Sequence, residues 1–245
     1  MKKLFAVALT LILALGSMTA LADEVVMGTN AGFAPFEFIG DDGKPAGFDI
    51  EIAKLIAADL GVDLKIEDIY FDGLLAALEG GQIDFIIAAM TITEERKLSA
   101  NFSTPYFNAT QSVIVLKGYE GIATVEDIAD KKVAVQDGTT GFFMASDELA
   151  NPANVSAFKA STDTILELQS GRVDCIIIDD AVAQNFLKLY DDLVIIEGLD
   201  MPVEEYGIAV AMGNDDLLAS INATLAKIME DGTYDALITA FFNED

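Results

Sequence analysis

The sequence predicts an α/β fold, in which strands and helices alternate along the chain. Short runs rich in Val and Ile alternate with runs that have helical spacing. The runs 85–89 (FIIAA) and 175–179 (CIIID) are apolar without polar alternation, which is typical of parallel strands covered on both faces. The length of 245 residues suits one large domain or two small lobes.

The order of the elements follows from these periodicities. Runs of β-branched and apolar residues predict strands at 25–29, 62–69, 84–88, 112–116, 132–136, 174–178, 193–197 and 207–212. Apolar residues at helical spacing predict helices at 48–60, 73–79, 93–98, 141–149, 162–170, 180–187, 216–230 and 234–242. Eight strands can form one sheet. A cleft that binds a ligand between two lobes, however, favours two smaller sheets.

The composition excludes several kinds of catalytic and metal site. The chain has no histidine, so neither a Ser/His/Asp triad nor a histidine-ligated zinc site can form. Cys175 is the one cysteine, which excludes an intramolecular disulfide and a CxxC motif. Because it lies in an apolar run, we expect a buried, unreactive thiol. The acidic runs lack the spacing of a calcium loop, so no metal and no cofactor are expected.

Residues 1–22 have the features of a secretory signal peptide. Lys2 and Lys3 precede an apolar run at 4–15, and Ala20-Leu21-Ala22 forms a cleavage site. We therefore expect export across a bacterial inner membrane and a mature periplasmic protein that starts at Asp23. The alternative is a membrane anchor, which the short run and its small residues disfavour.

The formal net charge of the chain is −27. Such a field repels polyanions, so nucleic acid is excluded as a partner, and it weakly favours a small cationic partner. The competing interpretation is that the charge only keeps the protein soluble.

Two loops that follow buried strands are suited to binding an anion. Both 86–96 and 133–141 run from a strand through small residues and hydroxyls into a helix start, where N–H groups are free. Arg96 is informative because an arginine in the first helical turn opposes the helix dipole. Either a ligand explains it, or Arg96 pairs at the surface with Glu94 or Glu95 while Thr91 and Glu94 form a capping box.

The complementary negative charge follows the strand at 174–178. Of the two adjacent carboxylates there, Asp180 is expected to cap the next helix, while Asp179 points across the strand ends toward an ammonium group. An arginine and an aspartate define a site for a zwitterion. The smallest common metabolite with that pair of charges is an α-amino acid.

The chain resembles the periplasmic amino-acid-binding proteins that supply ABC importers. The resemblance depends on five segments in the same order: GTNAGFAPFEF at 28–38, GFDI at 47–50, TITEER at 91–96, TPYF at 104–107 and EYGIA at 205–209. It implies a two-lobed, type II periplasmic-binding fold, with a mainly parallel sheet flanked by helices in each lobe. The first lobe would comprise 23–109 plus 206–245 and the second 110–205, with two hinge crossings near 108–111 and 203–206.

The resemblance also implies a role for each candidate site residue. Arg96 would bind the ligand α-carboxylate, aided by Thr91, Thr139 and Thr140. Asp179 and the carbonyl of Ala89 would bind the α-ammonium. The residues expected around the ligand side chain are Asn30, Phe33, Phe71 and Gln136.

Two positions depart from the pattern of other family members. Asn30 stands where binders of basic residues and of glutamine commonly have aspartate, so a fixed anion for a cationic group is missing there. Gln136 replaces a basic residue, which argues against an acidic ligand side chain. The two phenylalanine rings can stabilise a guanidinium or an ammonium group. The stretches TPYFNATQ at 104–111, VQDGTTG at 135–141 and DDAVA at 179–183 resemble binders of basic amino acids, so the resemblance implies a polar or basic amino acid of the arginine, lysine or glutamine type.

The resemblance further implies how the protein acts. The lobes would close on the ligand, and the closed monomer would deliver it to an ABC permease in the inner membrane. The alternative is a secreted enzyme of the same fold, similar to cyclohexadienyl dehydratase, with Asp179 or Glu204 as the acid.

Overall fold

The computed structural model describes residues 24–242. The predicted signal peptide at 1–22 lies outside the described residues. Within them, none of the helices has the length and hydropathy needed to cross a bilayer.

The strands are short, and most of the longer ones were predicted. They are β1 Glu24–Thr29, β2 Gly32–Phe33, β3 Glu37–Ile39, β4 Pro45–Ala46, β5 Asp63–Asp68, β6 Phe85–Ile86, β7 Ala100–Phe102, β8 Phe107–Leu116, β9 Val133–Gln136, β10 Val155–Phe158, β11 Cys175–Asp179, β12 Leu193–Ile195, β13 Val203–Tyr206 and β14 Ala209–Ala211.

The helices agree closely with the predicted ones. They are α1 Phe48–Leu60, α2 Leu74–Glu79, α3 Thr140–Met144, α4 Ser161–Gln169, α5 Asp180–Leu189, α6 Asp215–Glu230 and α7 Thr233–Phe242. Helix α1 has the predicted bounds because Gly61 follows it in the left-handed conformation, at φ 72°, and its N–H bonds back to the last turn.

Two predicted helices form differently, and local side chains explain why. At 93–98 only a 3-10 turn, Arg96–Leu98, forms, and the Thr93 hydroxyl oxygen accepts the Arg96 N–H. At 141–149, α3 widens into a π-helix, Ala145–Leu149. There the Ser146 hydroxyl donates to the Phe142 carbonyl at 2.8 Å and competes with the helical hydrogen bonds.

Most of the strands form two separate mixed sheets, as expected for a chain with a binding cleft, while β2, β3 and β4 form a small third sheet. The first sheet has the order β5-β1-β6-β14-β7, and the second has the order β10-β9-β11-β8-β12. Parallel pairing joins β5, β1 and β6 in the first sheet and β10, β9 and β11 in the second. Antiparallel strands complete each sheet.

The chain passes between the two sheets along two paired strands. Strand β13 pairs antiparallel with the first half of β8, with Glu204 opposite Ala109 and Tyr206 opposite Phe107. The sequence analysis missed β13 because its sequence, VEEY, lacks an apolar run. These strands are the crossings near 108–111 and 203–206, whereas the exact lobe limits stay a prediction.

An aromatic cluster lies beside this double crossing. The Phe36 ring is 4.9 Å from the ring of Phe107, 5.2 Å from Tyr206 and 5.2 Å from Phe242, centroid to centroid. Aromatic pairs at such distances add to the free energy of burial. The cluster therefore joins the C-terminal helix α7 to both crossing strands.

Candidate functional site

A small cavity, partly open to solvent, lies between the two sheets. Ten of its lining residues were predicted as site residues, and they come from the carboxyl ends of strands in both lobes. The lining residues are Asn30, Phe33, Glu37, Phe71, Ala88, Ala89, Thr91, Arg96, Gln136, Thr139, Thr140 and Asp179. The structure thus brings together every residue that the sequence analysis assigned to the site.

Arg96 is buried at the wall of this cavity, with 7% of its surface exposed. Its Nη1 donates to the Thr91 carbonyl at 2.7 Å and its Nη2 to the Gly138 carbonyl at 3.1 Å, on the other lobe. The alternative of a surface ion pair with Glu94 or Glu95 is wrong, because Arg96 is buried, and Glu94 pairs with Lys97 instead. The guanidinium has five N–H donors, so it retains donors for a ligand anion.

The glycine at position 138 allows the second lobe to approach the first closely beside Arg96. Gly138 has φ 76°, and a Cβ atom on it would lie 3.0 Å from the Cβ of Asp72 in the first lobe. The guanidinium of Arg96 lies 5.3 Å from the centre of the Phe71 ring. One face of Phe71 is therefore occupied by Arg96, and a ligand side chain would contact the rest of the ring.

Asp179 is the buried carboxylate of the second lobe. Its Oδ1 accepts a hydrogen bond from Gln111 Nε2 at 2.6 Å, and its Oδ2 accepts one from the Tyr206 hydroxyl. Burial, and then the nearby carboxylate of Glu204, raise the pKa of Asp179 to about 7. A cation placed beside it would hold it ionised.

The predicted capping by Asp180 is wrong. Its Oδ1 accepts the Thr110 N–H, at 3.3 Å, instead of an N–H of its own helix. This hydrogen bond holds the start of α5 against β8. The N-cap residue of α5 is Asp179, whose side chain forms no capping hydrogen bond.

The hydroxyls of two site threonines both donate to Glu204. Thr91 Oγ1 lies 2.6 Å and Thr140 Oγ1 2.7 Å from Glu204 Oε2. The capping box of Thr91 with Glu94 is therefore wrong. Thr139, by contrast, caps α3 by accepting the Phe142 N–H at 3.2 Å.

Asp49 positions the backbone of Ala89. Ala89 has φ 45°, a conformation that residues other than glycine rarely adopt. Asp49 Oδ2 accepts its N–H at 2.8 Å and also the Tyr106 hydroxyl at 2.8 Å. Burial raises the pKa of Asp49 to about 6. The strained backbone at the cavity wall is thus held by a buried carboxylate.

Direct contacts between the lobes surround the predicted side-chain end of the cavity. Gln136 Nε2 donates to Asn30 Oδ1 at 2.8 Å, and the Ser161 hydroxyl donates to the Gly32 carbonyl at 2.6 Å. The cleft is therefore closed in this structure, and Asn30 and Gln136 are neighbours.

Glu37 also lines the cavity, although the sequence analysis did not assign it to the site. It is 1% exposed, and its Oε2 atom has no hydrogen-bond partner. Burial, followed by the charge of Asp49, raises the pKa of Glu37 well above its usual value. The pairing of Glu37 opposite Phe33, a predicted site residue, brings it to the cavity. No sequence pattern predicts this short hairpin, and the one indication for Glu37 is that it lies near Phe33 in the sequence.

The enclosure thus combines a buried cation with buried carboxylates, which suits a small zwitterion. The sequence pattern of the bacterial extracellular solute-binding proteins, family 3, matches residues 25–244. The chain belongs to this family.

Similar proteins bind amino acids. This chain is 35% identical over 222 residues to the L-cystine-binding protein TcyJ of Escherichia coli K12. The matched region covers 90% of this chain and 83% of TcyJ. The chain is 31% identical to the ABC transporter arginine-binding protein 1 of the same organism, covering 99% of each chain. Among solved structures, a mutant of ArgBP from T. maritima is 44% identical and superposes with a TM-score of 0.85, covering 91% of this chain and 96% of ArgBP.

These findings identify the general role of the family 3 chain. It is an amino-acid-binding protein of an ABC transporter with a type II periplasmic-binding fold. Its named relatives are binding proteins and not enzymes, so the dehydratase alternative is not supported.

Proposed function

We propose that the protein captures a basic or polar L-amino acid of the arginine, lysine or glutamine type by lobe closure and delivers it to an ABC permease in the inner membrane. One observation carries the proposal: Arg96 of the first lobe and Asp179 of the second line the same cavity. A ligand that bridges two lobes favours their closed arrangement because it binds both halves only there.

Each charge of the ligand has a counterpart in the cavity. Arg96 and the N–H groups at Thr91, Thr139 and Thr140 bind the α-carboxylate. Asp179 and the Ala89 carbonyl bind the α-ammonium. Phe33, Phe71, Asn30 and Gln136 contact the side chain. The protein acts as a monomer in the periplasm after cleavage behind Ala22.

The charge of the lining favours a basic side chain. Arg96 supplies one positive charge, whereas Asp179 and Glu37 supply two carboxylates. A zwitterion with a neutral side chain leaves one carboxyl group unpaired, so Glu37 stays protonated. A cationic side chain compensates it and allows it to ionise. Glu37 therefore supplies the anion that Asn30 does not.

A thermal-shift screen of the mature protein against the twenty amino acids, ornithine, citrulline and cystine tests the proposal. A ligand at about 100 times its dissociation constant stabilises a protein by about 2.7 kcal/mol. We expect arginine or lysine to raise the melting temperature most. Arginine and citrulline form a matched pair, because they have nearly the same shape and differ in charge. A preference for arginine that Glu37→Gln reduces supports the charge argument, and the absence of stabilisation by any amino acid contradicts the proposed function.

A further inference from the structure

Glu204 touches a cavity threonine from each lobe. It lies on β13, the strand on which the chain returns to the first lobe, and 9% of its surface is exposed. Its Oε2 accepts the hydroxyl of Thr91, from the loop after β6, and that of Thr140, at the start of α3. Its Oε1 accepts Gln111 Nε2 at 3.3 Å.

The direction of these hydrogen bonds determines what the threonines can offer a ligand. A hydroxyl has one proton and two acceptor lone pairs. An ionised carboxylate only accepts hydrogen bonds. Thr91 and Thr140 must therefore both donate their hydroxyl proton to Glu204. The oxygen atoms that remain available to the cavity are then acceptors, which suit the ammonium of an amino acid and not its carboxylate.

We propose that Glu204 is a positioning residue, which orients the Thr91 and Thr140 hydroxyls as acceptors for the ligand ammonium and holds them together when the lobes are closed. This inference rests on the proposed function. The α-ammonium has three protons. Asp179, the Ala89 carbonyl and one of the two hydroxyls provide three acceptors for them.

A carboxamide cannot replace this carboxylate. If the amide oxygen at position 204 accepted the two hydroxyls, its NH2 group would face the NH2 group of Gln111. If the amide were turned, it would donate to the threonines, whose protons would then point elsewhere. Gln111 cannot simply turn as well, because its Nε2 donates to Asp179 at 2.6 Å. Glu204→Gln therefore disturbs the acceptors while it barely changes the volume.

The test compares Glu204→Gln with Glu205→Gln by calorimetric titration. Glu205 is the adjacent residue on β13, exposed where Glu204 is buried, so its variant removes the same charge without touching the threonines. The probes are L-arginine and its des-amino analogue guanidinovalerate, which lacks the α-ammonium. We expect Glu204→Gln to weaken arginine binding by about 10- to 100-fold, the effect of one hydrogen bond to a charged group. Guanidinovalerate binding should change far less, and Glu205→Gln should leave both affinities unchanged.

The preference for arginine over guanidinovalerate separates positioning from a merely structural role, and the pH dependence of binding is a second readout, of the charge of Glu204 beside Asp179. The Glu204 charge helps to raise the pKa of Asp179, whose surroundings also include Gln111, Asp180, Tyr206 and Arg96. In Glu204→Gln the pH below which arginine affinity falls should therefore be lower than in the wild type, even though the affinity at pH 8 is weaker. We call this low-pH part of the affinity curve the acid limb. A limb that does not move would contradict the proximity of Glu204 to the ammonium site.

The variant Thr91→Val tests the same inference if Glu204→Gln does not fold. It removes one acceptor at nearly constant volume and should likewise reduce the preference for arginine over guanidinovalerate. An unchanged preference in both Glu204→Gln and Thr91→Val overturns the positioning role while the proposed function stands. If the folded wild-type protein binds no amino acid in the screen, both are overturned.

Discussion

The ammonium of Lys159, in the second lobe, contacts the carboxylate of Asp72 across the cleft at a distance of 2.5 Å. The same ammonium lies 2.9 Å from Asp137, which belongs to its own lobe. Lys159 therefore forms one contact that exists only when the lobes are closed and one that exists in either state.

This difference predicts unequal effects of removing the two carboxylates. Asp72→Asn should increase the ligand dissociation rate, because it weakens the closed form alone, whereas Asp137→Asn should affect the rate less. The pair is exposed, so the increase should stay below about fivefold and fade at high salt. Stopped-flow measurement of the dissociation rate at 20 mM and 500 mM salt checks this. Equal effects of the two variants would show that the contact across the cleft does not hold the lobes closed.

Substitution of Arg96 should greatly weaken binding, and a positive charge alone at this position should not restore it. Arg96→Lys keeps the positive charge but lacks the planar group that donates to Thr91, Gly138 and a carboxylate together. We expect both Arg96→Lys and Arg96→Ala to weaken amino-acid binding by more than about 100-fold. Calorimetric titration measures this, and circular dichroism confirms that the variants fold. A lysine variant that binds within tenfold of the wild type would exclude a bidentate contact.

The sequence predicted those parts of the molecule whose signal is local. Helix α1 has apolar spacing and a terminal glycine, and it forms with the predicted bounds. Asp179 and Arg96 each follow a buried strand, and the rule that ligands bind at strand ends brought them into one site.

The sequence could not predict the parts that depend on tertiary contacts. Whether Glu204 or Glu205 is buried depends on which face of β13 packs between the lobes, and neighbouring glutamates in VEEY give no indication. Glu37 was likewise missed, because its place at the cavity results from a hairpin with two-residue and three-residue strands. Thr91 looked like a helix cap, but the partner of its hydroxyl lies 113 residues away in the chain.

Cys175 should be chemically silent in the folded protein. It is fully buried, and burial raises the pKa of its thiol to about 12, so the reactive thiolate is nearly absent at pH 8. We expect no reaction with a thiol reagent in buffer and the reaction of one thiol per chain in denaturant. The time course of absorbance with a chromogenic disulfide reagent checks this. Rapid labelling of the native protein would mean that β11 is accessible.

Substitution of Asn30 by aspartate should change the ligand specificity. Its Oδ1 accepts a hydrogen bond from Gln136 Nε2. Asn30→Asp keeps this acceptor and adds a negative charge at the predicted side-chain end of the cavity, so the ratio of arginine to citrulline affinity should increase. Asn154→Asp, on a turn away from the cavity, serves as the control for the added charge. Paired titrations measure the ratio, and an unchanged ratio would remove Asn30 from the ligand contacts.

Ligand affinity should depend on pH through Asp179. In the ligand-free protein its pKa is raised to about 7, and the ammonium of a ligand binds the ionised form. Protons and ligand therefore compete at Asp179, so the contribution of this residue to affinity should be constant above about pH 8 and fall toward tenfold per pH unit well below pH 7. Titration of arginine between pH 5 and pH 9 measures this dependence.

The stability of the ligand-free protein should change with pH in the opposite direction. Asp179, Glu37 and Asp49 all have a higher pKa in the folded protein than in the unfolded chain, because burial disfavours their charge. Between their unfolded and folded pKa values the folded state binds more protons, so their contribution to the free energy of unfolding decreases as pH rises through this window. Bound ligand replaces the protons on Asp179. The melting temperature without ligand should therefore fall from pH 5 to pH 7 as far as these groups determine it, while the increase produced by arginine should grow. An arginine-induced increase that is the same at both pH values would contradict the role of Asp179 as the ammonium acceptor.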